Sequence, residues 1–130
     1  MTSNQRIHAF VSLRSHLLEE TNSFNDLIQS AQFRNPWFTP ENVERALQAN
    51  LDLLNNKDLV EWVEPYYNDF QKDCSKTVGL ILAGNIPMVG FHDILSCLIA
   101  GFNVQIKTSN DDKILIPFIL EKLIEIEPAF

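Results

Sequence analysis

The chain has 130 residues, 45% of them apolar, with ten Lys and Arg against seventeen Asp and Glu for a formal net charge of −7. That length suits one ordinary domain, and the apolar share excludes a disordered chain. Spread negative charge repels phosphate backbones, so nucleic acid is not an expected partner.

Residues 1–76 read as a helical region. Ile7, Phe10, Val11, Leu13, Leu17 and Leu18 recur at helical spacing. Phe24, Leu27, Ile28 and Ala31 do so again after a break near Thr21, Asn22 and Ser23. Asn35-Pro36 breaks the chain a second time. Thr39-Pro40-Glu41 is a helix start: Thr39 caps, Pro40 fits the first helical position and Glu41 suits the positive end. Val43, Ala46, Leu47, Leu51 and Leu54 trace one face of that helix. A short helix around Leu59, Trp62 and Val63 is expected to end at Pro65. Trp37 and Phe38 precede the third helix. They are read either as a staple packed on that helix or as a ligand or partner surface, and the staple is favoured.

The character changes at residue 77. Thr77–Ala83 is a continuous apolar run, as expected of a strand covered on both faces. Gly84-Asn85-Ile86-Pro87 is a turn, and residues 88–100 are expected to form a helix with only His92, Asp93 and Ser96 on a polar side. The stretch Val78 to Val104 is too polar to span a membrane, since Asp93 near its centre alone costs about 3 kcal/mol in a bilayer. Gly101 stands where a left-handed cap is needed. Val104–Lys107 reads as a second strand. Asp111 or Asp112 then caps a last helix, which Pro117 should bend in its second turn. A strand–helix–strand unit is parallel with a right-handed crossover. The fold class is therefore α/β, a helical region (1–76) followed by a β-α-β-α unit of a parallel, Rossmann-like sheet (77–130). No further strand is visible, so neighbours must come from a longer parent or another chain, and exposed strand edges predict self-association.

Several familiar sites are missing. The chain has no G-x-x-x-x-G-K-[ST] and no G-x-S-x-G, and Gly79, Gly84 and Gly90 do not match G-x-G-x-x-G. His8, His16 and His92 form no metal pattern, and His8 and His16 are expected on a solvated face. Cys74 and Cys97 fit no metal or disulfide framework. Cys74, near Lys72 and Lys76, reads as a loop cysteine and Cys97 as an inert one on a buried helix. No signal peptide is visible at the amino terminus, so a cytoplasmic protein is expected.

Two spots remain, both at carboxyl ends of strands, where open α/β sheets bind ligands. Asn85 can offer its amide to a developing oxyanion, or it is a turn residue bonded to its own backbone. Lys107 can bond ribose hydroxyls or offset phosphate charge, or it is a snorkelling strand-end lysine.

Val78–Pro87 resembles the first cofactor-domain strand and loop of the aldehyde dehydrogenase superfamily. Leu98–Ser109, with Ala100-Gly101-Phe102-Asn103-Val104-Gln105-Ile106-Lys107-Thr108-Ser109, is similar to the superfamily's "A-G-N-x-V-x-x-K-x-S" stretch. Asn35–Val43 resembles a segment of the acyl-CoA reductases within it, which include the fatty-acid reductase component of bacterial luminescence systems. The resemblance implies an incomplete aldehyde dehydrogenase-type cofactor domain. It also implies that Asn85 is the oxyanion-hole residue, that Ala83 and Gly84 line the nicotinamide side, and that Lys107 binds the adenosine ribose, with Ser109 and Asn110 in the same turn. Many NAD-preferring members carry Glu at the position of Asn110, and its loss implies NADP(H). The implied activity is reduction of a long-chain acyl thioester, carried on coenzyme A or acyl carrier protein, through a cysteine thioester. That catalytic cysteine lies beyond residue 130 in the superfamily, and Cys74 and Cys97 come too early to match it. The 130-residue chain is therefore expected to be an amino-terminal part, inactive alone and weak in NADP(H) binding. Aldehyde oxidation on the same scaffold and a non-catalytic helical interaction module are the alternatives.

Overall fold

The first helix opens on a reciprocal cap. Gln5 N–H donates to Thr2 Oγ1, and Thr2 N–H donates to Gln5 Oε1 at 2.8 Å. This capping box satisfies two amides that the first turn leaves without helical partners. In the computed structural model, which describes residues 1–71 and 74–130 (only the backbone for 21–23), α1 then runs Ser3–Glu19. The other elements are α2 (Thr21–Arg34), α3 (Pro40–Leu53), α4 (Asn56–Val63), β1 (Thr77–Ile81), α5 (Phe91–Ile99), β2 (Asn103–Lys107) and α6 (Leu115–Ile126). A 3₁₀ turn, Glu64–Tyr66, follows α4, so the α-helix ends one turn short of Tyr66, as expected from Pro65. The chain turns from α1 to α2 at Glu20 rather than at 21–23.

Thr39 caps α3 as read, accepting from Asn42 N–H at 3.3 Å. Phe38 and Val43, the two staple positions, are both buried, whereas Trp37 is 81% exposed. Phe38 is thus the staple residue and Trp37 is not. The α5 end follows the sequence closely. Gly101 has φ 86°, its N–H donates to Leu98 O, and Phe102 N–H donates to Cys97 O. That pair of bonds is a Schellman motif, which releases the chain directly into β2.

β1 and β2 pair in parallel, with Val78 opposite Val104 and Ile81 opposite Lys107. Leu82 N–H adds one more bond to Lys107 O. Burial alternates along both strands. Val78, Leu80, Val104 and Ile106 face the core, and Thr77, Gly79, Ile81, Asn103, Gln105 and Lys107 face outward. The expectation of cover on both faces is therefore not met within the described residues, and Ile81 is 82% exposed. Helices supply one layer only, so one face has no apolar partner. The strand also stops at Ile81 rather than Ala83, because the chain turns at the rim.

One apolar cluster joins residues from Ile7 to Leu123. Phe10 at its centre meets Phe91 edge-on, with ring centroids 6.5 Å apart, and lies 5.5 Å from Phe130. The helical region and the β-α-β-α unit thus share one core. Buried Arg6 reinforces the joint. Its Nη1 donates to Phe70 O and Ile99 O, and its Nη2 donates to Met1 O. Arg14 Nε donates to Leu51 O, tying α1 to the carboxyl end of α3. No helix among the described residues is long and apolar enough to cross a membrane.

Candidate functional site at the carboxyl rim of the strands

Two loops leave the sheet side by side: residues 82–90 after β1 and residues 108–114 after β2. Gly84 is buried, and a Cβ there would collide with Ser109 Oγ and Cβ and stand 3.2 Å from Asp111 Cβ. Glycine is required for this close approach. The Gly84 and Ser109 segments, read separately from the sequence, are thus in contact. Ser109 Oγ also accepts from Asp111 N–H, which tightens its own turn.

A second tie crosses the loops at Asp112, which is buried. Its Oδ2 accepts from Met88 N–H at 2.8 Å, and its Oδ1 accepts from Leu115 N–H at 3.1 Å and Ile116 N–H at 3.5 Å. One carboxylate caps α6 and braces the first loop. Met88 has φ 56°, the left-handed region that non-glycine residues rarely occupy. The bond to Asp112 holds it there. This brace explains why α5 begins at Phe91 and not at residue 88. Burial pushes the Asp112 carboxyl above its ordinary value, and the backbone amides of Met88, Ile116, Leu115 and Ile114 pull it part of the way back. Pro117 lies in the first turn of α6, where an N–H has no helical partner. It therefore costs no hydrogen bond there, and the expected second-turn bend is replaced by a clean helix start.

The groups singled out from the sequence are presented rather than consumed. Ala83, Asn85, Lys107 and Asn110 are exposed at this rim, and Ser109 is half-buried. Among the described residues, no side-chain hydrogen bond engages Asn85, Lys107 or Asn110. Asn85 is not the turn residue bonded to its own backbone that the alternative reading supposed. It lines a recess of about 450 Å³ together with Trp37, Asn42, Arg45, Ala46, Ile86 and Pro87. Lys107 does not line that recess. It leaves β2 opposite Ile81 on the bare face of the sheet. Asn85 and Lys107 therefore share a rim and adjacent strands but open on different surfaces.

Sequence reasoning misses one participant and ranks another second. Asp112 was read only as a possible helix cap, and its reach to Met88 crosses two loops, which no local pattern encodes. Trp37 is read as a staple or as a ligand or partner surface, with the staple favoured, and its neighbourhood with Asn85 depends on how α3 sits beside the first loop. Cys74 and Cys97 are free and half-buried. Burial, and then the Asp93 carboxylate, raise the Cys97 thiol, which fits an unreactive side chain. Lys72, placed near Cys74 by the sequence, lies outside the described residues. No His, Cys, Asp and Glu cluster among the described residues could hold a metal.

A family model described as "Acyl-CoA reductase (LuxC)" matches residues 5–129. No curated protein and no solved structure matches the chain.

Proposed function

Since this chain belongs to the acyl-CoA reductase family, we propose that it forms the amino-terminal part of an NADPH-dependent reductase that converts a long-chain acyl thioester into a fatty aldehyde. The observation that carries this reading is the Asn85 carboxamide, exposed at the carboxyl end of a parallel strand and bonded to nothing else among the described residues. A donor that keeps its hydrogens free can meet an oxygen as that oxygen becomes negative. In the reaction proposed, a cysteine thiolate supplied beyond residue 130 attacks the thioester carbonyl, Asn85 steadies the tetrahedral oxyanion, and the carrier leaves as its thiolate while the acyl group stays on the cysteine.

The residues at the rim suit the cofactor. NADPH, when bound, supplies the hydride. Lys107 carries an uncommitted ammonium that can hold the adenosine ribose and offset phosphate charge, with Ser109 and Asn110 in the next turn. Asn110 brings no carboxylate against a 2′-phosphate, which favours NADP(H) over NAD(H). Ala83 and Gly84 leave backbone near the nicotinamide side with little side-chain bulk. The acyl carrier is coenzyme A or acyl carrier protein. The chain alone, without the cysteine, is inactive and binds NADPH weakly.

The test is made in the longer enzyme. Asn85→Ala is expected to lower kcat for acyl-CoA reduction by about 10²–10³-fold with little change in stability. NADPH is expected to outperform NADH. An undiminished kcat in Asn85→Ala, or a strong preference for NADH, would defeat the corresponding assignment.

A further inference from the structure

The recess beside Asn85 has a wall that the rim chemistry does not use. Trp37 presents its indole to solvent, yet its backbone is clamped. Trp37 N–H donates to Asn35 Oδ1, Phe38 N–H donates to Asn35 O, and Asn42 Nδ2 donates to Trp37 O. The buried Phe38 anchors the next position. A large aromatic surface is thus held out of the core at a fixed place, so a ligand meeting it need not order the turn. Ile86, 52% exposed, stands on the opposite loop. Asn42, Arg45 and the free Asn85 amide supply polar groups around the same recess.

Among the described residues, Arg45 is held only by a surface pair with Glu41, Nη2 to Oε1 at 2.8 Å, with both side chains more than 70% exposed. Such i,i+4 pairs are worth about 0.3–0.5 kcal/mol. An arriving anion can therefore recruit Arg45 at small cost. The recess is open to solvent and has a cation, Arg45, in its lining. Those features disfavour a bare alkyl chain, which is best served by an enclosed apolar slot. They suit a slender arm with amide groups along its length and a phosphate at its far end.

We propose that this recess binds the pantetheine-type arm of the acyl thioester. The thioester carbonyl lies at Asn85, the amides run past Asn42 and Trp37, and the phosphate lies at Arg45. The assignment rests on the acyl-thioester reading above and extends it to the helical region.

The experiment uses the 130-residue chain and needs no turnover. Trp62→Phe leaves Trp37 as the sole tryptophan, and its fluorescence is titrated with acetyl-CoA, with acetyl-4′-phosphopantetheine and with adenosine 3′,5′-bisphosphate. The first two are expected to shift the emission saturably, and the nucleotide half is not. Arg45→Glu, and more mildly Arg45→Gln, should weaken both arm-bearing ligands, about tenfold for the charge reversal, with the helical circular dichroism unchanged. No saturable shift, an equal response to the nucleotide half, or unchanged affinity in Arg45→Glu would each overturn the proposal. Failure of acyl-CoA reduction in the longer enzyme would instead remove the catalytic reading and leave this binding result standing.

Discussion

The helical frame and the loop rim are held by different physics. In the frame, α1–α4 bury Phe10, Leu13, Ile28, Phe38, Val43, Leu51, Leu54 and Leu59 almost completely. Arg6 donates to the carbonyls of Phe70, Ile99 and Met1, and Arg14 to that of Leu51. At the rim, Leu82 and Met88 reach into the same core, and two further devices join the loops to each other: the glycine-tight meeting of Gly84 with Ser109, and the Asp112 brace. The polar side chains of Asn85, Lys107 and Asn110 are left open there. The apolar frame supplies stability, and the rim keeps the Asn85, Lys107 and Asn110 donors unspent. That division permits substitutions at the rim to change chemistry without unfolding the frame.

The strongest test of the frame is Arg6→Ala. It removes a buried guanidinium serving three backbone carbonyls from three parts of the chain and leaves a cavity. The unfolding free energy in urea is expected to fall by about 4 kcal/mol. A loss under 1 kcal/mol would mean that the apolar cluster alone joins α1 to α5.

The brace comes next. Asp112→Ala strips acceptors from Met88, Leu115 and Ile116 and should cost about 2 kcal/mol by the same measurement. Asp112→Asn isolates the charge. Burial raises the native pKa of Asp112 above its ordinary 3.8, so the native state holds this proton more tightly than the unfolded chain. The stabilisation linked to that proton is full below 3.8 and is lost as pH rises through the native value. Wild type minus Asp112→Asn stability should therefore decline as pH climbs from 3.8 through that range. A difference that grows with pH would show that the backbone amides outweigh burial.

Much of this arrangement was legible in the sequence because it is local. Thr39-Pro40, Pro65 and Gly101 each act within a turn, and the parallel pair follows from two apolar runs around one helix. What escaped is non-local. The start of α5 depends on Asp112, twenty-four residues beyond Met88. The exposure of Trp37 depends on Phe38 taking the core site. The bare face of the sheet escaped for another reason. Thr77–Ala83 is apolar on both sides, which predicts cover on both faces, but among the described residues only the face with Val78 and Leu80 is covered. The candidate site was found one loop at a time, and only the fold reveals that Asn85 opens toward α3 while Lys107 opens onto the sheet.

The smallest expected effect on stability belongs to that bare face, and it separates folding from association. Ile81 is 82% exposed, so Ile81→Thr gives up little burial, keeps a β-branched strand residue and should change the unfolding free energy by less than about 0.5 kcal/mol. Two open strand edges and an uncovered isoleucine nevertheless invite a second copy, and we propose that the chain by itself self-associates there. Light scattering on the wild type should report species larger than a monomer, and Ile81→Thr should lower that apparent mass at equal concentration. A wild-type chain that stays monomeric at high concentration would mean that the outward face, with Lys107 and Gln105 beside Ile81, is polar enough to stand in water without cover.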